Sequence, residues 1–210
     1  MPSRSFAQFR QLLGSVDQLI EIHGKLQEGR GRRHEQDALH RAGVVMTVAA
    51  WQAYVEKVLA EALDSIANDL QDPAAAAPRW ATHTFLMRRA EVQIEIKKFN
   101  TPNDVNVRDI FRNALGFNPW PFWEWRQGPR QWSETEVRSR TNIWVTVRHS
   151  VAHGFGLPAG IYWLQGNNGQ ARLTLGLLKE CRKHFAFLVD KTDRAFSAHL
   201  VQHHGLMAPW

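Results

Sequence analysis

The sequence predicts an all-α fold, a helical bundle. Two observations carry this prediction: apolar residues recur at spacings of three and four in nearly every periodic segment, and the breaks between segments hold proline or glycine. A hydrophobic fraction of 44% and a charged fraction of 22% are ordinary for a globular protein. The chain has 210 residues, so we expect residues 1–210 to form a single domain with one elaborated loop.

The first two predicted helices cover about residues 5–26 and 35–70. The first has one apolar stripe, whereas apolar residues cover more than one side of the second, which predicts a central helix packed from several directions. Trp51 and Tyr54 lie in this second helix and are expected in the core. The stretch between the two helices either contacts a phosphate backbone or is a solvated loop, and its basic residues are Arg30, Arg32, Arg33 and His34.

The third and fourth predicted helices are bounded by prolines. The run DPAAAAPRW ends the long second helix, and we expect a third helix over about residues 82–98. Pro102 marks the start of the fourth helix and Gly116 marks its end, which predicts a helix over about residues 105–115.

Residues 118–132 contain four tryptophans, three prolines and one glycine, and they predict an irregular loop inserted in the bundle. Two interpretations are open. The rings stack on splayed RNA bases beside Arg126 and Arg130, or they pack on the bundle or across a dimer interface. Nine tryptophans in the chain are more than a surface usually exposes, which favours packing.

The last part of the chain predicts two helices separated by a small β-hairpin. Ser133 and Glu136 have the spacing of a capping box, so a fifth helix begins there and ends near Gly154. Two short apolar runs flank GNNG within residues 161–175 and predict the hairpin. A sixth helix covers about residues 177–201. The C-terminal histidines are expected at a frayed end without a role, and they are His199, His203 and His204.

Composition limits the class of protein. The net charge of +6 and the pI near 9.9 favour a polyanionic partner but do not demonstrate one. No apolar run reaches the roughly 18–20 residues that cross a bilayer, and the first residues lack the apolar core of a secretory signal, so we expect no membrane association. A single cysteine, Cys181, excludes an internal disulfide and fits a reducing cytosol, so the expected location is cytoplasmic.

The segment with the clearest chemistry is RTNIWVTVRHSVAHGFG, residues 140–156. The apolar residues of this helix share one face that is expected to pack inward, namely Val137, Trp144, Val147 and Val151. Arg148 lies at the edge of this face, where a guanidinium keeps its charge, loses some water and seeks a carboxylate or a phosphate. His153 lies five positions later at the helix end, where the backbone can turn its imidazole back towards Arg148.

Arg148 and His153 are residue types that suit the cutting of RNA through its 2′-hydroxyl. Histidine can take the 2′-proton or protonate the leaving oxygen near neutral pH, and arginine donates fixed hydrogen bonds to phosphate oxygens. One of each makes half a site, and a two-fold homodimer would supply both halves. The spacing alone also fits an ordinary histidine at a helix end and a surface arginine.

His149 and His153 lie one helical turn apart, a spacing that metal ligands also use. No Glu follows His149 as in the zinc-protease motif, and no third ligand is evident nearby. We therefore expect neither a metal nor a cofactor.

Three segments resemble the HEPN superfamily. Residues 148–154 are similar to its R-x4-6-H signature, and AAWQAYVEKVL and FNTPNDVNVRDIFRNALGF look like helices of the RiboL-PSP-type HEPN group. The resemblance covers roughly residues 40–199 and implies a HEPN-type helical bundle. It also implies a metal-independent endoribonuclease that acts on RNA as a homodimer, often in phage defence or toxin–antitoxin systems. By position, the resemblance implies that Arg148 and His153 are the catalytic pair and that His149 is the supporting polar residue.

Two departures from the family pattern matter. His149 stands where the family often has Asn or Asp, and Phe155 stands where some HEPN toxins have a tyrosine that a partner enzyme modifies with nucleotides. Two rival interpretations also stay open, namely a catalytically silent HEPN module that binds RNA or a protein partner, and an antitoxin-like or scaffold protein. The expected partners are therefore RNA, a second copy of the chain, and an antitoxin or regulatory protein.

Overall fold

The computed structural model of the chain describes residues 1–25, 36–72, 78–166, 169–207 and 209–210. Within these ranges the prediction of an all-α bundle is confirmed, with a single two-stranded sheet beside it. The elements are α1 (Arg4–Lys25), α2 (Asp37–Gln71), α3 (Arg79–Lys98), α4 (Asp104–Leu115), a 3-10 helix (Trp120–Phe122), β1 (Trp125–Gln127), β2 (Arg130–Trp132), α5 (Glu134–Ala152), a second 3-10 helix (Tyr162–Leu164) and α6 (Leu175–His204).

Helix α2 is the central element, as its apolar pattern predicts, and it packs against α1, α3, α4, α5 and α6. Trp51 and Tyr54 are fully buried in it, and both find hydrogen-bond partners on other elements. The Trp51 indole donates to the Pro102 carbonyl at 3.1 Å, and the Tyr54 hydroxyl donates to Asp193 at 3.2 Å. These bonds satisfy the polar atoms that the large rings carry into the core.

Two buried carboxylates connect the start of α1 to α2 and α6 by hydrogen bonds. Asp193 of α6 accepts hydrogen bonds from the backbone N–H and the hydroxyl of Ser3. Glu61 of α2 accepts from the backbone N–H of Ser5 at 3.0 Å and from its hydroxyl at 2.6 Å. The first N–H groups of a helix have no intrahelical acceptor, so these bonds pair donors that would otherwise be buried alone.

Helices α3 and α4 follow the prolines that were expected to bound them. Helix α3 begins at Arg79, three residues earlier than predicted, because Pro78 at the N-cap already holds φ at −58°. The Asn103 side chain caps α4 by accepting from the Asn106 N–H at 2.7 Å. Gly116 ends the same helix with a φ of 73°, a left-handed conformation that favours glycine.

The tryptophan-rich segment, residues 118–132, is not wholly irregular, so this part of the prediction is wrong. Strands β1 and β2 pair antiparallel with Trp125 opposite Trp132, and their rings meet edge to face at 5.5 Å. Gly128 makes the turn at a φ of 58°, and Pro129 lies in that turn, outside both strands. Trp123 and Trp125 are buried, which confirms that the segment packs on the bundle.

The hairpin predicted over residues 161–175 is wrong in extent. The structure has a 3-10 helix followed by one antiparallel bridge between Gln165 and Ala171, and residues 167–168 of the expected turn lie outside the described residues. Leu164 and Leu173 are both buried, and the Trp163 ring packs on Trp144 at 4.9 Å. The segments before and after the turn therefore each pack side chains against the bundle, and they do not form the two alternating strands of a hairpin.

The expectation of frayed C-terminal histidines is also wrong. Helix α6 continues to His204 and ends at Gly205 in the left-handed conformation. The Nε2 atoms of His199 and His204 lie 2.8 Å and 3.2 Å from the carbonyl oxygen of Leu115. Because the last carbonyls of α4 lack intrahelical donors, these imidazoles cap that helix.

The basic residues predicted between the first two helices, Arg30, Arg32, Arg33 and His34, lie outside the described residues. In the described part of the chain, no helix combines the length and the apolar character needed to cross a membrane.

Candidate active site at the end of α5

Helix α5 positions the candidate residues, and its start is fixed by the predicted capping box. The Glu136 N–H donates to the Ser133 hydroxyl oxygen at 3.3 Å, and the Ser133 N–H donates to the Glu136 carboxylate at 2.7 Å. The inward face of the helix is buried at Val137, Thr141, Trp144 and Val147. This buried face sets the rotation of α5, so Arg148 lies at the boundary between core and solvent.

Arg148 is half-buried, and no carboxylate of the described residues pairs with it. Its Nε atom is buried, and no described residue accepts a hydrogen bond from it. Arg140, two turns earlier on α5, is the other half-buried arginine of the described ranges that forms no ion pair. The remaining half-buried arginines all pair with carboxylates, and the pairs are Arg41–Asp37, Arg89–Asp64, Arg108–Asp109, Arg130–Glu180, Arg138–Asp104 and Arg182–Asp17. A partly desolvated guanidinium without a counter-ion is a site for an anion.

His153 lies at the C-cap of α5, where the backbone closes in a Schellman arrangement. The Phe155 N–H donates to the Ser150 carbonyl at 2.8 Å, and the Gly154 N–H donates to the Val151 carbonyl at 3.4 Å. Gly154 has a φ of 70°, which the turn requires. The chain therefore leaves the helix directly after His153, and the imidazole is exposed.

The imidazole of His153 lies against His149 rather than against Arg148. The two histidine rings are 4.4 Å apart, and the Phe155 ring stacks beside His153 at 5.9 Å. All three rings are exposed. Among the described residues, no hydrogen bond, ion pair or ring contact joins Arg148 to His149 or His153. One chain therefore presents a cation and a pair of imidazoles side by side at the helix end, without direct contact between them.

The tryptophan-rich segment contacts the opposite end of α5. Trp120 lies over the Arg138 guanidinium at 3.3 Å, and its indole donates to the Asp104 carbonyl. Trp125 stacks on Phe187 at 4.1 Å. Across the described ranges, none of the contacts of this segment reaches Arg148, His149 or His153, so this segment does not cover the helix end.

A row of alternating tryptophan and arginine side chains runs from the hairpin to α5. Arg130 lies over Trp125 at 4.6 Å and over Trp132 at 4.9 Å. Arg140 then lies over Trp132 at 4.0 Å and over Trp163 at 5.3 Å, and Trp163 packs on Trp144. Arg140 was not predicted from the sequence as a site residue. The sequence feature that could have identified it is its position eight residues before Arg148 on the same predicted helix.

Where the structure is described, no group of three or more His, Cys, Asp or Glu side chains could hold a metal ion. The His149–His153 pair therefore has no third ligand among these residues.

His184 of α6 is a second residue that was not predicted from the sequence. It is buried beneath α5, and its Nε2 lies 2.8 Å from the Thr141 hydroxyl. Burial lowers the pKa of His184 from its ordinary value near 6.5 to about 3, and the positive charges of Arg140 and Arg130 act in the same direction. The imidazole is therefore neutral inside the fold at neutral pH.

The burial of His184 predicts a loss of stability in mild acid. The unfolded chain takes up a proton at this group near pH 6.5, whereas the folded chain takes it up only near pH 3. The stability that the neutral imidazole allows is therefore complete above pH 6.5 and falls progressively below it. Between pH 7 and pH 5 we expect the wild type to lose about 2 kcal/mol more than His184→Gln, measured by urea unfolding. His83→Gln, which changes an exposed histidine, is the control and should lose as much stability as the wild type. Equal losses of stability in the wild type and His184→Gln would contradict the assignment of a buried, neutral His184.

A family model described as RiboL-PSP-HEPN matches residues 10–198 of the chain. The matched range contains α2 to α5 and the whole of the candidate site. No curated protein and no solved structure matches the chain.

Proposed function

Because the chain belongs to the RiboL-PSP-HEPN family, we propose that it is a metal-independent endoribonuclease whose active site forms between two copies of the chain. The observation that carries the proposal is the end of α5, where the half-buried, unpaired Arg148 and the exposed His153 are five residues apart. A fixed cation suits a phosphate, and an exposed imidazole suits proton transfer at neutral pH.

The arrangement within one chain supports a shared site. Cleavage needs one group to accept a proton and another to donate one, and a single His153 cannot hold both roles at one moment. His149 lies against His153 and is the proposed supporting residue that orients it. A two-fold axis beside the end of α5 supplies a second arginine and a second imidazole from the partner.

The proposed reaction is a transesterification within the RNA. His153 takes the proton of the 2′-hydroxyl, and the 2′-oxygen forms a bond to the adjacent phosphorus. Arg148 donates hydrogen bonds to the non-bridging oxygens as their negative charge increases. The bond from phosphorus to the 5′-oxygen then breaks, and the partner subunit's His153 protonates that oxygen. The products are a 2′,3′-cyclic phosphate end and a 5′-hydroxyl end.

A second function is a catalytically silent module that binds RNA or a protein partner. It is favoured by the lack of direct contact between Arg148 and His153 within the described chain. The proposed biological setting of the nuclease is a defence or toxin–antitoxin system, in which an antitoxin or regulatory protein restrains cleavage. This setting rests on family membership alone.

The proposal predicts that purified protein cuts single-stranded RNA in the presence of EDTA. The phosphate charge is met by arginine and the protons are carried by histidine, so removal of divalent metal is expected to leave the rate unchanged within about twofold. The fragments should carry 2′,3′-cyclic phosphate and 5′-hydroxyl ends, as read by end-labelling and mass spectrometry. DNA of the same sequence is the matched control and should stay intact, because it lacks the attacking hydroxyl.

Two outcomes separate the alternatives. Cleavage that stops on chelation and returns with a divalent metal contradicts the metal-independent mechanism. RNA binding without cleavage, under conditions in which the protein is dimeric, supports the silent module.

A further inference from the structure

Arg140 shares with Arg148 the property that singles out the candidate active site. Both are half-buried, both lie on α5, and in the described chain neither forms an ion pair with a carboxylate. We infer that Arg140 binds a second phosphate of the same RNA strand, so that an unpaired strand runs along α5 from Arg148 towards the hairpin. The inference rests on the proposed function and assigns Arg140 as a positioning residue for the substrate.

Two tryptophan rings hold the Arg140 guanidinium by cation–π contacts, and no described residue accepts a hydrogen bond from it. The Arg140 Cζ atom lies 4.0 Å from the centroid of the Trp132 ring and 5.3 Å from that of the Trp163 ring, and such cation–π contacts do not need an N–H donor. A guanidinium held in this way loses little conformational freedom when it binds a phosphate. The stack therefore prepares Arg140 for an anion without supplying one.

Two carboxylates of this region, Glu136 and Glu180, already have hydrogen-bond or ion-pair partners. Glu136, one turn before Arg140, accepts hydrogen bonds from the Ser133 N–H at 2.7 Å and from the Ser133 hydroxyl at 2.8 Å. Glu180 pairs with Arg130, the other arginine of the stack. The Ser133 hydrogen bonds and, to a lesser degree, the charge of Arg140 lower the pKa of the Glu136 carboxyl, but Glu136 and Arg140 form no ion pair, so an incoming phosphate would displace none at Arg140.

The spacing of the two arginines places them on different phosphates. Eight residues of helix separate Arg140 from Arg148, which is about 12 Å along the axis and more than the distance between neighbouring phosphates of one strand. Trp144 lies one turn from each, and the half-exposed ring of Trp163 packs on it. A base of the strand that crosses this interval can stack on Trp163, which requires that the base be unpaired.

The test is binding of RNA oligonucleotides with 2′-O-methyl groups, which cannot be cut through the 2′-oxygen. Fluorescence anisotropy compares the wild type with Arg140→Gln on a single-stranded decanucleotide. We expect Arg140→Gln to bind about tenfold more weakly, with the salt slope of log K reduced by about 0.7, the contribution of one phosphate contact on a single strand. Arg194→Gln removes an exposed, ion-paired arginine of α6 and is the matched control, with no expected change.

A dinucleotide with one phosphodiester separates substrate positioning from a structural role. It can reach only one arginine, so by competition Arg140→Gln should bind it as the wild type does. Arg140→Lys keeps the charge but not the stacked plane, and its decanucleotide affinity should lie between those of the wild type and Arg140→Gln.

Three results would overturn the inference. They are unchanged decanucleotide binding by Arg140→Gln and Arg140→Lys, an equal loss on the dinucleotide, and equal Arg140-dependent binding of a duplex of the same length. The test of Arg140 and the test of the proposed nuclease activity can give different outcomes. If the protein cuts no RNA but binds it in an Arg140-dependent way, the RNA contact of Arg140 stands and the proposed nuclease activity is wrong. If the protein cuts RNA and Arg140→Gln has no effect on binding, the nuclease activity stands and the RNA contact of Arg140 is wrong.

Discussion

His153→Ala is expected to lower the rate of RNA cleavage by about 100-fold to 10,000-fold, the usual contribution of a general acid or base. The Schellman turn at Gly154 does not depend on the imidazole, so the variant should fold as the wild type does. Arg148→Ala should cause a similar loss, because it removes the donors proposed to stabilise the charged transition state. Cleavage of a labelled oligonucleotide under single-turnover conditions measures both variants.

His83→Ala is the matched control for these variants. His83 is an exposed histidine of α3, and its loss should leave the rate unchanged.

The rate of wild-type cleavage should also fall more steeply than in proportion to protein concentration once the protein is diluted below its dimer dissociation constant, because one chain holds half a site. A His153→Ala protein with full activity, or a rate strictly proportional to concentration in a monomeric sample, would refute the shared site.

Trp123→Ala is expected to destabilise the fold by about 3–5 kcal/mol, in the range found for truncation of large buried aromatic residues. Trp123 is fully buried and packs edge to face on Trp51 at 6.1 Å. Its indole N–H donates to the Thr192 hydroxyl at 3.0 Å, so the variant leaves both a cavity and a buried hydroxyl without its donor. The melting temperature should fall by about 10 °C or more, as measured by calorimetry.

Phe122→Ala provides the comparison within the same segment. Phe122 is 46% exposed and stacks on Phe117, so its truncation should cost about 1 kcal/mol or less. Similar losses for Trp123→Ala and Phe122→Ala would show that the tryptophan-rich segment is not part of the core.

The helices could be predicted because each carries its own signals in the sequence. Helical spacing of apolar residues located α1, α2 and α6, and the proline, glycine and capping residues bounded α4 and α5 within one or two positions. The hairpin of β1 and β2 could not be found in this way. Its three-residue strands depend on the cross-strand pair Trp125 and Trp132 and on the burial of Trp125, which are features of the folded chain.

The candidate site was predictable in part. The edge position of Arg148 and the helix-end position of His153 followed from helical periodicity and the glycine after the histidine. The ion-pair state of each arginine did not, because several carboxylate partners come from distant parts of the chain, as Glu180 does for Arg130 and Asp64 does for Arg89. The environment of Arg140 was hidden for the same reason, since Trp132 and Trp163 approach it from separate segments.

The unpaired Nε of Arg148 implies a trade-off between durability and activity. A buried donor without an acceptor costs a protein about 1–3 kcal/mol, and a leucine or methionine at this position would remove that cost. Selection for thermal resistance alone would therefore tend to replace Arg148. An arginine at such an unfavourable position is the pattern expected where affinity for a ligand outweighs the stability of the empty protein.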